Sequence, residues 1–244
     1  MPYFLNGVLT VGLGATRRMQ PGVVVKSCRP TTAAVGIVVQ RAIEAVGRSV
    51  PESLVVFTSW KDDFYGGDSN ADSNFTTPAA GDWSYIQIDD AMDAEVNFKN
   101  CVFRYGSYTN GQPMTYGALR CTNAAARVDS CLFAYNAVGL SAEGASNPLV
   151  RGSSFYGNTS YAINNSGNSF CVSAPGCWWG SASGPNDASA TADICLLGAN
   201  AGTGDIVSNN YQAAAVLERH GLDFCCGGRS SLAEACRQGN VDLA

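Results

Sequence analysis

A mainly β chain, wound as a parallel β-helix of about seven coils with a small C-terminal α-helical segment, is the fold class this sequence predicts. Three observations carry the prediction. One phrase recurs in mid-chain as VNFKNCVFRYGS (96–107), ARVDSCLFAYNAVG (126–139) and PLVRGSSFYGN (148–158). Valine-rich runs bounded by glycine or proline precede it. From residue 204 onward the apolar pattern changes from strand-like to helix-like.

In chain order, MPYFLNGVLTVGLGAT reads as a strand, and with no basic stretch ahead of its apolar residues no signal peptide is visible. GVLTV, GVVVK, GIVVQ and LVVFTSW are strand words buried on at least one face. Residues 61–82, within KDDFYGGDSNADSNFTTPAAGDW, have no apolar period and are expected to protrude as a loop. In the repeated phrases Phe98, Val128 and Val150 fall in register, as do Cys101, Cys131 and Ser153, and then Phe103, Phe133 and Phe155. Their spacing is 30 and then 22 residues. Strands stacked about 4.8 Å apart keep like residues above like, so the phenylalanine rung would fill the interior. Asparagines and glycines would occupy bends that need positive φ. Trp178 and Trp179 face opposite ways along a strand; one caps the interior and the other lies under the GSASGP turn, with stacking against carbohydrate as the alternative reading.

The first domain is therefore 1–203. In the second, 204–244, SNNYQAAAVLERHG predicts a helix capped by Ser208 or Asn209, with His220 in its last turn and Gly221 just beyond. Ser231 and Glu234 are spaced as a capping box that opens a second helix. Cys225 and Cys226 lie just ahead of that helix, whose partially positive N-terminus favours thiolate. A vicinal disulfide, or two ordinary small apolar residues, are the alternative readings of the pair.

Bulk composition narrows the function classes. The chain is 46% apolar and 14% charged with 27 glycines, which suits many short strands rather than disorder. A net charge of −5 offers no electrostatic footprint for nucleic acid. No apolar run is long enough for a membrane span. Of ten cysteines, seven are scattered singly and Cys225, Cys226 and Cys236 cluster near the end.

Four constellations carry candidate chemistry. Asp68, Asn70, Asp72 and Asn74 alternate in the loop, with Asp62 and Asp63 nearby, a pattern that suits a hard cation such as Ca²⁺. It is no EF-hand, because Ser73 and Ala79 stand where glycine and glutamate would be needed; a metal-free Asx-turn loop is the alternative. Lys99, Asp129 and Arg151 stack on consecutive coils, pointing outward if the phenylalanines point in. That row reads either as a cross-strand charge ladder or as the groove of a polysaccharide lyase or glycoside hydrolase. Asp89, Asp90 and Asp93 form a further carboxylate group in a segment that reads as a turn. Cys101 and Cys131 are placed either to bridge adjacent coils or to be buried free thiols.

Two resemblances add to this reading. PGVVVK, VVFTSWKDDFYGGDSNADSN, PAAGDW, CVFRYGS and WWGSASGP resemble secreted bacterial right-handed parallel β-helix repeat proteins of pectin-lyase-like fold, over residues 2–203. That likeness implies an exported or cell-surface module in contact with polysaccharide or cell-envelope components. ATRRMQPG departs from it by placing two arginines at usually apolar positions, and Cys177 stands where asparagine is usual. AAAVLERHGLDFCCGGRSSLAEAC closely resembles the N-terminal domain of the iron–sulfur cluster repair di-iron proteins, over residues 205–244. This second likeness implies a cytoplasmic domain whose Cys225 and Cys226, with Cys236 and His220 at less critical positions, contact iron or a cluster in damaged iron–sulfur proteins. The di-iron bundle of that family is rich in histidine; this chain has one histidine in all and ends at Ala244. The two implied compartments conflict, and both domains look truncated. The reading is a non-catalytic, carbohydrate-contacting scaffold fused to a cysteine-pair domain. Its alternatives are the lyase or hydrolase, and a rearranged gene fragment with only structural roles.

Overall fold

The computed structural model describes residues 1–28, 33–73, 75–91, 96–108, 116–165, 168–180 and 197–198. Short strands follow one another in groups of three. The first group is β1 (Tyr3–Leu5), β2 (Val8–Val11) and β3 (Thr16–Met19), and the second β4 (Val24–Ser27), β5 (Gly36–Val39) and β6 (Ala42–Val46). The third is β7 (Val55–Ser59), β8 (Tyr85–Asp89) and β9 (Val96–Lys99), and the fourth β10 (Cys101–Arg104), β11 (Leu119–Thr122) and β12 (Arg127–Asp129). The fifth is β13 (Leu132–Ala134), β14 (Val138–Glu143) and β15 (Leu149–Arg151), and the sixth β16 (Ser154–Tyr156), β17 (Tyr161–Asn164) and β18 (Ser173–Ala174). A last strand, β19 (Leu197–Gly198), pairs with β18.

Every third strand joins the same sheet. The first sheet runs β1-β4-β7-β10-β13-β16, the second collects β2 through β17, and the third β3 through β19. All pairings between these strands are parallel. Three parallel sheets visited in rotation are compatible with a β-helix. The predicted strand words map onto β2, β4, β5 and β7, while the opening stretch forms two strands, β1 and β2, split at Asn6 and Gly7. The C-terminal helices fall outside the described residues.

The register follows from what each side chain buries. Phe103 pairs with Phe57 and Phe133, and Phe133 with Phe155. Their rings stack at 5.1, 4.7 and 4.9 Å, and Trp179 closes the described end of the column at 5.0 Å from Phe155. Trp178 faces out, 50% exposed. A second interior column aligns Ile37, Ile86, Leu119, Leu140 and Ile163. A one-residue slip would turn every one of these to solvent, so the register is strongly specified.

Corners repeat as faithfully as strands. Asn100, Ser130, Gly152 and Gly176 each take positive φ on the way into the first sheet, and Tyr105, Tyr135, Gly157 and Gly180 on the way out. Asparagine and glycine are the expected occupants. The tyrosines, at φ 62° and 57°, occupy a region that costs a side-chain-bearing residue about 1–2 kcal/mol. That strain is offset where their rings stack at 5.8 Å. Asn136 secures the same corner, donating from Nδ2 to the Phe103 carbonyl (3.0 Å) and accepting at Oδ1 from the Gly106 N–H (2.8 Å). Gly106 itself is required because a Cβ there would sit 2.8 Å from the buried Trp83 ring.

Cys101 and Cys131 are buried free thiols, donating to the carbonyls of Ala45 (3.1 Å) and Phe98 (3.5 Å) respectively. Asp89 belongs to the end of β8 rather than to a turn, Asp90 follows at φ 50°, and Asp93 lies outside the described residues. The two arginines of ATRRMQPG lie on β3, where Arg18 donates to Glu44 at 2.9 Å. Arg17 shares the interior row of Ile43 yet is exposed, as are Tyr3 and Leu9 in the same first group, because among the described residues no strand lies beyond it. No helix among the described residues is long and apolar enough to cross a membrane.

Candidate functional site

Side chains alternate along β4, β7 and β10, so the partners of the phenylalanine column's neighbours face outward. Lys26 pairs with Thr58 in that outer row, and Arg104 follows on β10. Outer positions of a sheet are normally solvated, but Lys26 and Thr58 are fully buried. The cause is the loop between β7 and β8. Where the sequence suggests protrusion, it folds back over the first sheet's outer face and clasps it.

The clasp is polar. Lys61 and Asp82 close the loop's base with a 3.0 Å ion pair, and Asp82 also accepts from Ser59 (2.8 Å) and from the Ala79 N–H (3.0 Å). Trp83 donates its indole N–H to the Arg104 carbonyl at 2.7 Å. Asp62, 2% exposed, accepts from Thr58 Oγ1 at 2.5 Å and pairs with Arg104 at 3.4 Å. Lys26 Nζ donates to the Gly67 carbonyl at 2.6 Å. Burial pulls the Lys26 ammonium below the usual lysine range, and Asp62, Asp63 and Asp68 pull the other way.

Aromatic rings wall the arginine. The Arg104 guanidinium lies 5.5, 5.4, 4.8 and 5.6 Å from the rings of Phe64, Tyr65, Tyr105 and Tyr135, and Nη2 donates to the Tyr105 hydroxyl at 2.6 Å. Cation–π attraction of this kind contributes roughly 1 kcal/mol or more when partly desolvated. Burial raises the Tyr65 and Tyr105 phenols above their ordinary value, with the Arg104 charge opposing. Beyond the arginine the aromatic row continues outward through Tyr135 and Tyr156, 40% and 51% exposed and 5.4 Å apart, toward Trp178, which bridges to Ser154 on β16.

The acidic residues of the loop converge in part. Asp63, Asp68 and Asp72 each place an oxygen within 4.8 Å of the others. Asp68 accepts the backbone N–H groups of Asp72 (3.2 Å) and Ser73 (2.9 Å). Asn70 Nδ2 donates to Asp72 Oδ2 at 2.7 Å, and Thr76 donates to that same oxygen through its N–H and hydroxyl. Asn74 lies outside the described residues.

The remaining candidates stand elsewhere. Asp129 pairs in register with Lys99 and Arg151 on the outer face of the third sheet. The Lys99–Asp129 separation is 3.9 Å with both side chains about half exposed, so the row is a solvated ladder on an open face. Cys225, Cys226, Cys236 and His220 lie outside the described residues. Cys121 and Cys177 are buried, which pushes their thiols up to about 12 and about 11, far from the reactive range.

Sequence reasoning passes over Lys26, Arg104, Tyr135 and Tyr156. The legible signal was a cation ending an apolar strand word, in GVVVK and again in CVFR, upstream and downstream of a loop opening on two aspartates.

A family model, ScdA_N, described as a Domain of Unknown function (DUF542), matches residues 199–244. The match begins directly after β19, the last strand described, which ends at Gly198. No curated protein and no solved structure matches the chain.

Proposed function

We propose that residues 1–203 form a right-handed parallel β-helix acting as a non-catalytic scaffold that contacts polysaccharide or cell-envelope glycans. Right-handed connection is the rule for parallel strands joined by crossovers. The carrying observation is the exposed aromatic group Tyr135, Tyr156 and Trp178 on the first sheet's outer side, the two tyrosine rings 5.4 Å apart and Trp178 in register with Ser154, two residues before Tyr156. Flat amphipathic rings held at fixed spacing suit stacking against the apolar faces of sugar rings, and their immobilisation is already met by the fold. The outer ladder of the third sheet supports a scaffold better than an enzyme. The row of Lys99, Asp129 and Arg151 supplies one carboxylate, Asp129, solvated 3.9 Å from Lys99, whereas glycoside hydrolysis ordinarily uses a carboxylate pair. The scaffold reading goes with a secreted or cell-surface location.

Residues 204–244 are proposed as a cysteine-pair domain in which Cys225 and Cys226 contact iron or an iron–sulfur cluster as thiolates. The family-model match over residues 199–244 supports a separate domain here, the intact Asp223–Gly228 run motivates the thiolate role, and the reading goes with a reducing compartment.

Affinity electrophoresis through neutral and acidic polysaccharides tests the scaffold. The parent protein is retarded by at least one glycan, and Tyr156→Ala combined with Trp178→Ala abolishes the retardation. Unretarded migration of the parent through every gel would refute glycan contact. Release of oligosaccharide products that Asp129→Asn eliminates would instead establish the lyase or hydrolase. Anaerobic iron titration tests the second domain: Cys225→Ser loses binding, and an unchanged signal removes the proposal. Silence in all three assays leaves the structural-fusion reading.

A further inference from the structure

We infer that the loop clasping the first sheet holds a divalent cation, Ca²⁺ by its chemistry, through Asp63, Asn70 and Asp72 with Asp68 alongside. Hydrogen bonding within the loop accounts for only part of its acceptors. Both Asp68 oxygens receive backbone N–H groups, and Asp72 Oδ2 is satisfied by Asn70 and Thr76. Asp63 Oδ1, Asn70 Oδ1 and Asp72 Oδ1 are shut off from solvent and accept nothing. An Asx-turn loop gives no reason to bury three orphan acceptors, since each such atom costs about 1–3 kcal/mol.

Charge separates a cation from a water molecule. Asp62, Asp63, Asp68 and Asp72 face two cations, Arg104 on Asp62 and Lys26 toward Asp62, Asp63 and Asp68. Lys61 is committed to Asp82. Two negative charges are left over, with three carboxylates inside 4.8 Å of one another. A water could donate to the orphans but could not cancel that repulsion, which is roughly 3 kcal/mol per pair at an effective dielectric of 20. A divalent ion does both.

Among the described residues the available side-chain donors are all oxygen, three carboxylates and a carboxamide, with no histidine or thiol. That set selects a hard ion over zinc or copper. Irregular placement on a loop, rather than an octahedral cage, favours Ca²⁺ over Mg²⁺. The ligand set also differs from the one spacing alone suggests, because Asp63 enters it from outside the alternating run.

The experiment is calorimetric titration of chelator-stripped full-length protein with CaCl₂ and, separately, MgCl₂. One Ca²⁺ binds per chain, Mg²⁺ binds roughly tenfold or more weakly, and Asp72→Asn weakens Ca²⁺ by roughly tenfold or more. Glu44→Gln, on the exposed third-sheet pair, leaves binding unchanged. Asp63→Asn provides a second variant should Asp72→Asn lose its circular-dichroism spectrum, because Asp63 Oδ1 makes no hydrogen bond to lose. Absence of Ca²⁺ heat in the parent, or parental affinity in a folded Asp63→Asn or Asp72→Asn protein, overturns the inference. Glycan retardation is measured separately, so failure of one reading leaves the other standing.

Discussion

On its inner face the first sheet stacks Phe57, Phe103, Phe133 and Phe155 in one apolar column. On its outer face the same strands carry Lys26 and Thr58, fully buried, and Arg104, partly buried, beneath a loop that answers them with Asp62, a backbone carbonyl and the rings of Phe64 and Tyr65, the corner rings of Tyr105 and Tyr135 completing the wall. The inner column is assembled from identical pieces, each supported by the one before, and its stabilisation is additive area burial. The outer clasp is assembled from unlike pieces, and each is costly without its partner. Burial of equal depth is therefore reached by repetition on one side and by complementarity on the other.

Three measurements break or sharpen this contrast. Phe133→Ala, which empties the middle of the column, should cost about 3–5 kcal/mol in denaturant unfolding, the whole solenoid losing midpoint together. A loss below 1 kcal/mol would mean the column is not what holds the repeats in register. Next comes alkaline pH. The unfolded Cys121 thiol ionises above 9.0, while burial keeps the folded thiol protonated up to about 12. Between those values the folded chain binds more protons, so stability falls as pH rises, by up to about 4 kcal/mol from this group. Cys121→Ala should flatten that part of the profile, and an unchanged slope would contradict it. The smallest effect is at the clasp. Asp62→Ala should cost about 2–3 kcal/mol, discounted because Arg104 keeps partial solvent contact and the Tyr105 hydroxyl. Its distinguishing sign is local: proteolysis within residues 61–82 accelerates before global unfolding. Equal acceleration in Phe133→Ala would erase the distinction between the faces.

The inner column was readable in the sequence because repetition writes it there. Phe103, Phe133 and Phe155 recur in one phrase, and a period-two pattern leaves no second way to bury them. The ladder of Lys99, Asp129 and Arg151 was readable for the same reason. The clasp was not, because Lys26, Asp62 and Arg104 are far apart in sequence and occur once each. Nothing periodic announces that a loop of aspartates returns to the sheet it left. Asp63 was set outside the alternating run for that reason, although folding brings it beside Asp68 and Asp72. Tyr105 and Tyr135 were hidden by a different rule, since positive φ is ordinarily assigned to glycine and asparagine.

Lys61 and Asp82 hold the two ends of the inserted stretch side by side, at 3.0 Å. Everything between them is thus a detour whose exit and entrance coincide, and lengthening such a detour twofold costs only about 0.6 kcal/mol in closure entropy. The winding below registers only the part that touches it, Asp62 on Arg104 and the Gly67 carbonyl on Lys26. Evolution, or a protein engineer, could exchange the portion beyond Gly67 for another ligand-gripping module and leave every rung in place.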